Sequence, residues 1–266
     1  MKKQLITSML SAALCLAPQV EASPVKVGMI TTLSGGGSGL GVDVRDGFML
    51  AVNKANNSDL EVIIEDDGRK PSLAVQIADK MIQKDKVDIL TGIIWSNLAM
   101  AVVPSSVNQG ILYLSPNAGP SALAGKGCNK NYFNVAWQND NLHEAMGSYA
   151  NGEEHQNSFI LAPNYPAGKD ALTGYKRFYQ GQLAGELYTK LGQTDYAAEI
   201  AQIRASGADS VFFFLPGGMG ISFMKQYSQA GMTIPLMGPA FSFDQGILQA
   251  VGKSALGVRN SSQWNK

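Results

Sequence analysis

Histidine and cysteine are scarce in this sequence. His143 and His155 are its two histidines, and Cys15 and Cys128 its two cysteines. They do not combine into a zinc pattern, and no carboxylate stands at ligand spacing from either histidine, so a metal centre is not what these residues spell. Both histidines read as surface or helix residues. Charge is also thin: 16% of the residues are charged, and 21 basic side chains balance 21 acidic ones. Without a net charge there is no long-range field to favour nucleic acid or an anionic membrane. Long apolar runs are missing too. The stretch from Leu5 to Leu16 is shorter than the roughly 20 residues that a bilayer-spanning helix needs.

That short run has another meaning. Met1-Lys2-Lys3 is a basic start, Leu5 to Leu16 an apolar middle, and Val20-Glu21-Ala22 a cleavage site, the three parts of an export signal. Residues 1–22 are thus expected to be removed near Ala22 and the mature chain to be periplasmic. Cys15 follows Leu14 where a lipid-anchor site wants a small residue, so it reads as an ordinary cysteine of the signal. Cys128 is then the lone thiol of the mature chain, expected half-buried in a loop and unable to form an intrachain disulfide.

What is plentiful is glycine, 29 residues, within a chain that is 45% hydrophobic, a balance that suits a loop-rich α/β protein and not a disordered one. Strands and helices alternate. Val25 to Thr31, Glu61 to Asp66, Asp88 to Leu90 and Ile111 to Leu114 read as strands. Helices are expected from Val42 to Asn56, with Phe48, Leu50, Ala51 and Val52 for packing, from Pro71, and from Leu98 to Asn108. Asn131 to Trp137 reads as a strand leaving this unit. From Asn139 the pattern restarts, with strands at Ser158 to Leu161, Ala184 to Tyr188, Ser210 to Leu215 and Ile234 to Met237 between helices. This rhythm predicts an α/β fold of two doubly wound parallel-sheet lobes joined by a hinge. The expected bounds are 24–137 for the N-terminal lobe, 138–257 for the second, and 258–266 for the start of a hinge return.

The stretch from Asp88 to Pro120 organises the rest. Two apolar runs each end in small polar residues, Ser96-Asn97 and Ser115 with Asn117. Parallel strands buried on both faces read as such runs, and the loops at their carboxyl ends carry ligand chemistry. These loops are expected to set Ser96 and Asn97 beside free backbone amides of Asn117, Ala118 and Gly119, a nest for an anion. No catalytic group is visible there. From the second lobe, Tyr165, Pro216 and Phe241 stand at strand ends and complete the ligand-binding candidates, while Phe212 and Phe214 read equally well as core. Glu65-Asp66-Asp67 reads as a solvated strand end.

The glycine run Gly35 to Gly41 invites three catalytic readings and fits none. A dinucleotide fingerprint started at Gly35 needs glycine where Leu40 stands, a phosphate loop needs lysine where Val42 stands, and a nucleophile elbow needs glycine where Leu40 stands. It reads as a flexible strand-to-helix loop lining a cleft. A nucleotide-dependent oxidoreductase therefore remains a distant alternative.

Taken together, Val27-Gly28 with Leu33-Ser34-Gly35, Glu65-Asp66-Asp67, Gly92 with Ser96, Leu114-Ser115-Pro116, Asn164-Tyr165-Pro166-Ala167-Gly168 and Met237-Gly238-Pro239 resemble the branched-chain amino acid (Leu/Ile/Val-binding, type I periplasmic) family of ABC-importer solute-binding proteins. The resemblance spans essentially the whole mature chain. It implies two α/β lobes, joined by three crossing strands, that close on a solute like a hinged trap and deliver it to a membrane permease. It implies no enzyme activity and no cofactor, a monomer, Ser96 and the amides near Asn117 to Gly119 on the solute carboxylate, and Tyr165 covering it.

Two departures matter. Where amino-acid binders carry an acid for the α-ammonium, this chain has Ala240-Phe241-Ser242, and a buried ammonium without a partner is costly. The strings Ser115 to Ser121 and Asn134 to Asp140 resemble the branch that takes aromatic carboxylates, benzoates or phenylpropenoates, which Trp95, Tyr165 and Phe241 suit by stacking. Relatives also continue past Trp264, so the chain reads as C-terminally truncated. The expected solute is an aromatic acid, with a branched-chain amino acid, or a ligand sensor on the same scaffold, as the alternatives.

Overall fold

A computed structural model describes residues 23–56, 59–242 and 245–263 of the chain, apart from the side chains of Phe241 and Gln245. The export signal expected over 1–22, with Cys15, lies outside the described residues, as does Trp264.

Two five-stranded sheets form the frame, and every strand pairing within them is parallel. The first sheet contains β1 (Val25–Thr31), β2 (Leu60–Asp66), β3 (Ile89–Thr91), β4 (Leu112–Ser115) and β5 (Tyr132–Asn134), in the order β2-β1-β3-β4-β5. The second contains β6 (Asn157–Pro163), β7 (Gln182–Thr189), β8 (Ser210–Phe213), β9 (Leu236–Pro239) and β10 (Arg259–Ser261), in the order β10-β9-β8-β6-β7. Read from its other edge, the second sheet repeats the winding of the first. Each order reverses once, between β1 and β3 and between β6 and β8. Ligands of open α/β sheets bind outside the carboxyl ends of the strands at such a reversal.

Connecting helices cover the sheets: α1 (Ser38–Ala55), α2 (Pro71–Lys80, continued by a π-helical turn Met81–Asp85), α3 (Ser96–Asn108) and the short α4 (Ser121–Ala124) in the first half. The second half has α5 (Asn141–Gly152), α6 (Pro166–Phe178), α7 (Ala197–Ala205), α8 (Gly218–Gln229) and α9 (Gln245–Val251). Proline at the first turn starts α2 and α6, where its missing N–H has no intrahelical partner to lose.

The core of the second half is rich in buried rings. Phe212, Phe213 and Phe223 are fully buried, as are Tyr175 and Tyr196. Tyr175 stacks on Phe212 with ring centroids 4.5 Å apart. Its hydroxyl meets Ser158 Oγ at 2.8 Å, and that oxygen lies 2.6 Å from Ser210 Oγ, so the polar atoms under the rings are satisfied.

Several expectations are corrected. Helix α1 starts at Ser38 and not at Val42, and Leu50 and Ala51 on it are exposed rather than packed. Strand β4 alternates, with Leu112 exposed and Tyr113 buried, so it is not covered on both faces. Tyr132–Asn134 does not leave the first sheet; it pairs with β4 as the edge strand. Cys128 is exposed, not half-buried. His143 is no surface residue. It lies buried on α5 with its ring 5.7 Å from Phe212 and 5.2 Å from Phe214, and burial pushes its imidazole down to about 3. Asp67 is fully buried instead of solvated: its Oδ1 accepts from the Thr32 hydroxyl at 2.6 Å and from the Arg69 amide at 2.7 Å. The acid thereby fixes the loop after β1. Removal from water raises its pKa, and the Thr32 hydroxyl opposes that rise.

Candidate ligand-binding site

The loops at the two reversals meet face to face. From the first sheet come Leu40 after β1, Ile94, Trp95 and Ser96 after β3, and Asn117 with Ala118 after β4. From the second come Tyr165 and Ala167 after β6, and Phe214 and Pro216 after β8. Trp137 and Asn139, between the sheets, close the side. Together they line a narrow cleft of about 40 Å³.

One wall is aromatic. Tyr165 and Phe214 stack with centroids 6.2 Å apart and planes 13° from parallel, and Tyr165 faces Trp95 at 6.3 Å. The opposite corner is polar and ordered. Ser96 opens α3, buried, and its Oγ accepts from Asn139 Nδ2 at 3.1 Å. Its own hydroxyl proton is then directed elsewhere. The amides of Leu98 and Ala99 already bond the Trp95 carbonyl, which leaves Ser96 and Asn97 as the first-turn residues ahead of the helical ladder. Asn117 Nδ2 donates to the Ile94 carbonyl at 3.0 Å and ties the two loops together.

The two halves touch across this cleft. Asp170 Oδ2 on α6 accepts from the Ser121 amide at 3.1 Å and from Asn139 Nδ2 at 2.9 Å. The Ser121 hydroxyl bonds Asp140, which also pairs with Arg177 at 3.1 Å. Burial raises Asp170, with the Ser121 amide and Asn139 pulling the other way. Burial likewise pushes the Tyr165 phenol well above its ordinary value, against the pull of the Arg69 charge, so the ring stays neutral.

The predicted residues fare unevenly. Ser96, Asn117, Ala118, Tyr165 and Pro216 all line the cleft. Asn97 does not; it sits half-buried on α3. Gly119 lines a neighbouring depression with Trp137 and Asn134. The nest of free amides is not formed as expected. The Ala118 amide donates to the Ile93 carbonyl at 3.3 Å, and the Gly119 amide to Asn139 Oδ1 at 3.2 Å. Both bonds brace the loop itself, which is why those donors do not face a ligand. Phe241 falls in the 3₁₀ turn Ala240–Ser242, and its side chain lies outside the described residues. Sequence reasoning missed Ile94, Trp137, Asn139, Ala167 and Phe214 as lining residues, while Leu40 belongs to the glycine run expected to line a cleft. For Asn139 there was a signal, the polar run Gln138-Asn139-Asp140 between Trp137 and a helix start.

Two sheets of the same winding, meeting at their reversals around rings and hydroxyl or amide donors, define a two-part solute-binding protein. The chain belongs to the periplasmic binding protein family, whose model matches residues 24–266. It is an ABC-transporter solute-binding protein, a binder and not an enzyme, which removes the oxidoreductase alternative. A Leu/Ile/Val-binding protein homolog from Brucella melitensis is 27% identical over 272 residues, covering 97% of this chain and 68% of the relative. A solute-binding protein from Rhodopseudomonas palustris solved in complex with benzoate superposes with a TM-score of 0.84 at 27% identity, over 89% of this chain and 67% of the other. Another from that species, solved with 3,4-dihydroxybenzoic acid, gives 0.82 at 25% identity over 88% and 67%.

Proposed function

We propose that this chain captures a small aromatic carboxylate in the periplasm by closing its two halves around it, and hands the solute to an inner-membrane permease as a monomer. The lobes would span about 24–137 and 138–257, with 258–266 starting the return. The observation that carries the reading is the composition of the cleft: Trp95, Tyr165, Phe214 and Trp137 supply rings, Ser96 and Asn117 supply polar groups, and no carboxylate lines it among the described residues. The nearby acid, Asp170, already accepts from Asn139 and Ser121. An α-ammonium enclosed here would lack a counter-charge, which is costly away from water. A carboxylate has a place at the first turn of α3, where the Ser96 hydroxyl and the leading amides favour negative charge. The ring would lie against Tyr165 and Trp95, in the cleft that Pro216 also lines. The benzoate and dihydroxybenzoate bound by the two Rhodopseudomonas proteins support the same class of solute.

Closure follows from contacts made by both halves at once, which favour the shut state in proportion to the solute's differential affinity for it. The name of the Brucella relative favours a second reading, a branched-chain aliphatic amino acid. Equilibrium titration of the purified protein with benzoate and with leucine separates the two. Tight benzoate binding with leucine inert is the expected outcome; leucine binding with benzoate inert reverses the assignment.

A further inference from the structure

One donor in the cleft wall has no acceptor among the described residues. Trp95 is 2% exposed, and its Nε1 is shielded from solvent with no hydrogen-bond partner. A buried donor left unmade costs about 1–3 kcal/mol, so buried polar groups are as a rule paired. This one belongs to a side chain held firmly from two sides. The Arg69 guanidinium lies 4.3 Å from the centroid of the indole ring while donating to the Gly36 carbonyl at 3.3 Å. Gly37, at φ 103°, stands so close to Cζ2 that any Cβ there would collide with it. The same ring edge, with Cη2 at 3.3 Å and Cε2 at 3.4 Å from that Cβ, packs on Gly37 next to the seam between the halves, where a Cβ built on Gly217 would come within 3.7 Å of Gly37 Cα.

Trp95 also has a special position along the cleft. It and Pro216 are the residues shared with a second space of about 330 Å³ that runs on to Arg69, Gln193 and Thr194. Ser96, Asn117 and Asn139 line the cleft alone. The site therefore has two poles: the start of α3, and an end marked by Trp95 where the space widens beside a cation.

We infer, on the reading that the solute is an aromatic acid, that its ring carries an acceptor oxygen, hydroxyl or methoxyl, at the end away from its carboxylate, and that Trp95 Nε1–H donates to this oxygen. Arg69 acts as a positioning residue. Its charge over the indole face fixes the ring and makes the N–H a stronger donor. The acceptor would sit at the seam, where its bond forms when the halves shut, so the substituent contributes to closure as well as to recognition.

The test compares near-isosteric solutes that differ in one acceptor atom: 4-methoxybenzoate against 4-ethylbenzoate, and 3-methoxybenzoate against 3-ethylbenzoate, titrated calorimetrically into wild type, Trp95→Phe and Arg69→Gln. A made hydrogen bond gives the ether of at least one pair an advantage of about tenfold in wild type. That ratio falls to near one in Trp95→Phe and is reduced in Arg69→Gln, whatever happens to absolute affinity. Ratios near one for both pairs in wild type overturn the inference without any variant being needed, and so does a ratio that survives Trp95→Phe. Benzoate binding with no ether preference leaves the solute class standing and removes only the Trp95 contact. Failure of every aromatic acid while leucine binds removes the class, and the inference with it.

Discussion

Asn139 Nδ2 stands 3.1 Å from Ser96 Oγ, and the same amide reaches Asp170 Oδ2 at 2.9 Å. One side chain between the sheets thus orients the first-turn hydroxyl of α3 and grips α6 of the opposite half. Asn139→Ala removes both bonds, together with the Oδ1 acceptor of the Gly119 amide. Binding of benzoate is expected to weaken about tenfold or more, since buried groups lose their partners and the Ser96 hydroxyl loses its orientation. Calorimetry checks this; unchanged affinity would separate Asn139 from the solute site.

Glycine at position 37 is required twice, by its left-handed backbone at φ 103° and by the indole against it. Gly37→Ala is expected to cost about 1–3 kcal/mol of stability, read by urea unfolding, and to displace Trp95. Gly39→Ala is the control, because nothing lies within 4 Å of its added Cβ inside α1. It is expected to leave stability equal or slightly higher.

His143 makes the fold acid-sensitive. Its imidazole is held from 6.5 down to about 3 by burial, so between those values the unfolded chain binds a proton that the folded chain refuses. Stability is therefore full above pH 6.5 and declines as pH falls toward 3, with about 2 kcal/mol lost by pH 5 from this residue. Asp67 and Asp170, both raised by burial, work in the opposite direction over the acid range. The difference between wild type and His143→Leu isolates the histidine: the variant is expected to lose less stability between pH 7 and pH 5. Parallel pH curves for the two proteins contradict it.

Cys128 lies exposed in the loop after α4. It is expected to react rapidly with a thiol reagent in the folded protein, and Cys128→Ser is expected to change stability by less than about 0.5 kcal/mol and to leave solute binding as it is.

Much of the frame was legible because parallel strands announce themselves. β6 and β8 are buried nearly end to end, and both appear in the sequence as unbroken apolar runs. The strand-helix rhythm carried the two windings, and the strand-end residues Ser96, Asn117, Tyr165 and Pro216 do reach one cleft. Other features were hidden by their dependence on distant partners. His143 reads as a polar helix residue until Phe212 and Phe214 pack over it. Asp67 reads as a solvated acid until the Thr32 hydroxyl and the Arg69 amide converge on it. The amides of Ala118 and Gly119 looked free because their acceptors, Ile93 and Asn139, lie on other segments of the chain. Phe214 could not be told from core because it is both, a buried ring whose face borders the cleft.

The most direct measurement is a crystal structure of the protein grown with benzoate. Electron density for an unaltered benzoate between the halves is predicted, its carboxylate within hydrogen-bond reach of the Ser96 hydroxyl and its ring between Tyr165 and Trp95. Benzoate bound on another surface, or density for a chemically changed molecule, would contradict a closing cleft that holds an aromatic acid and leaves it intact.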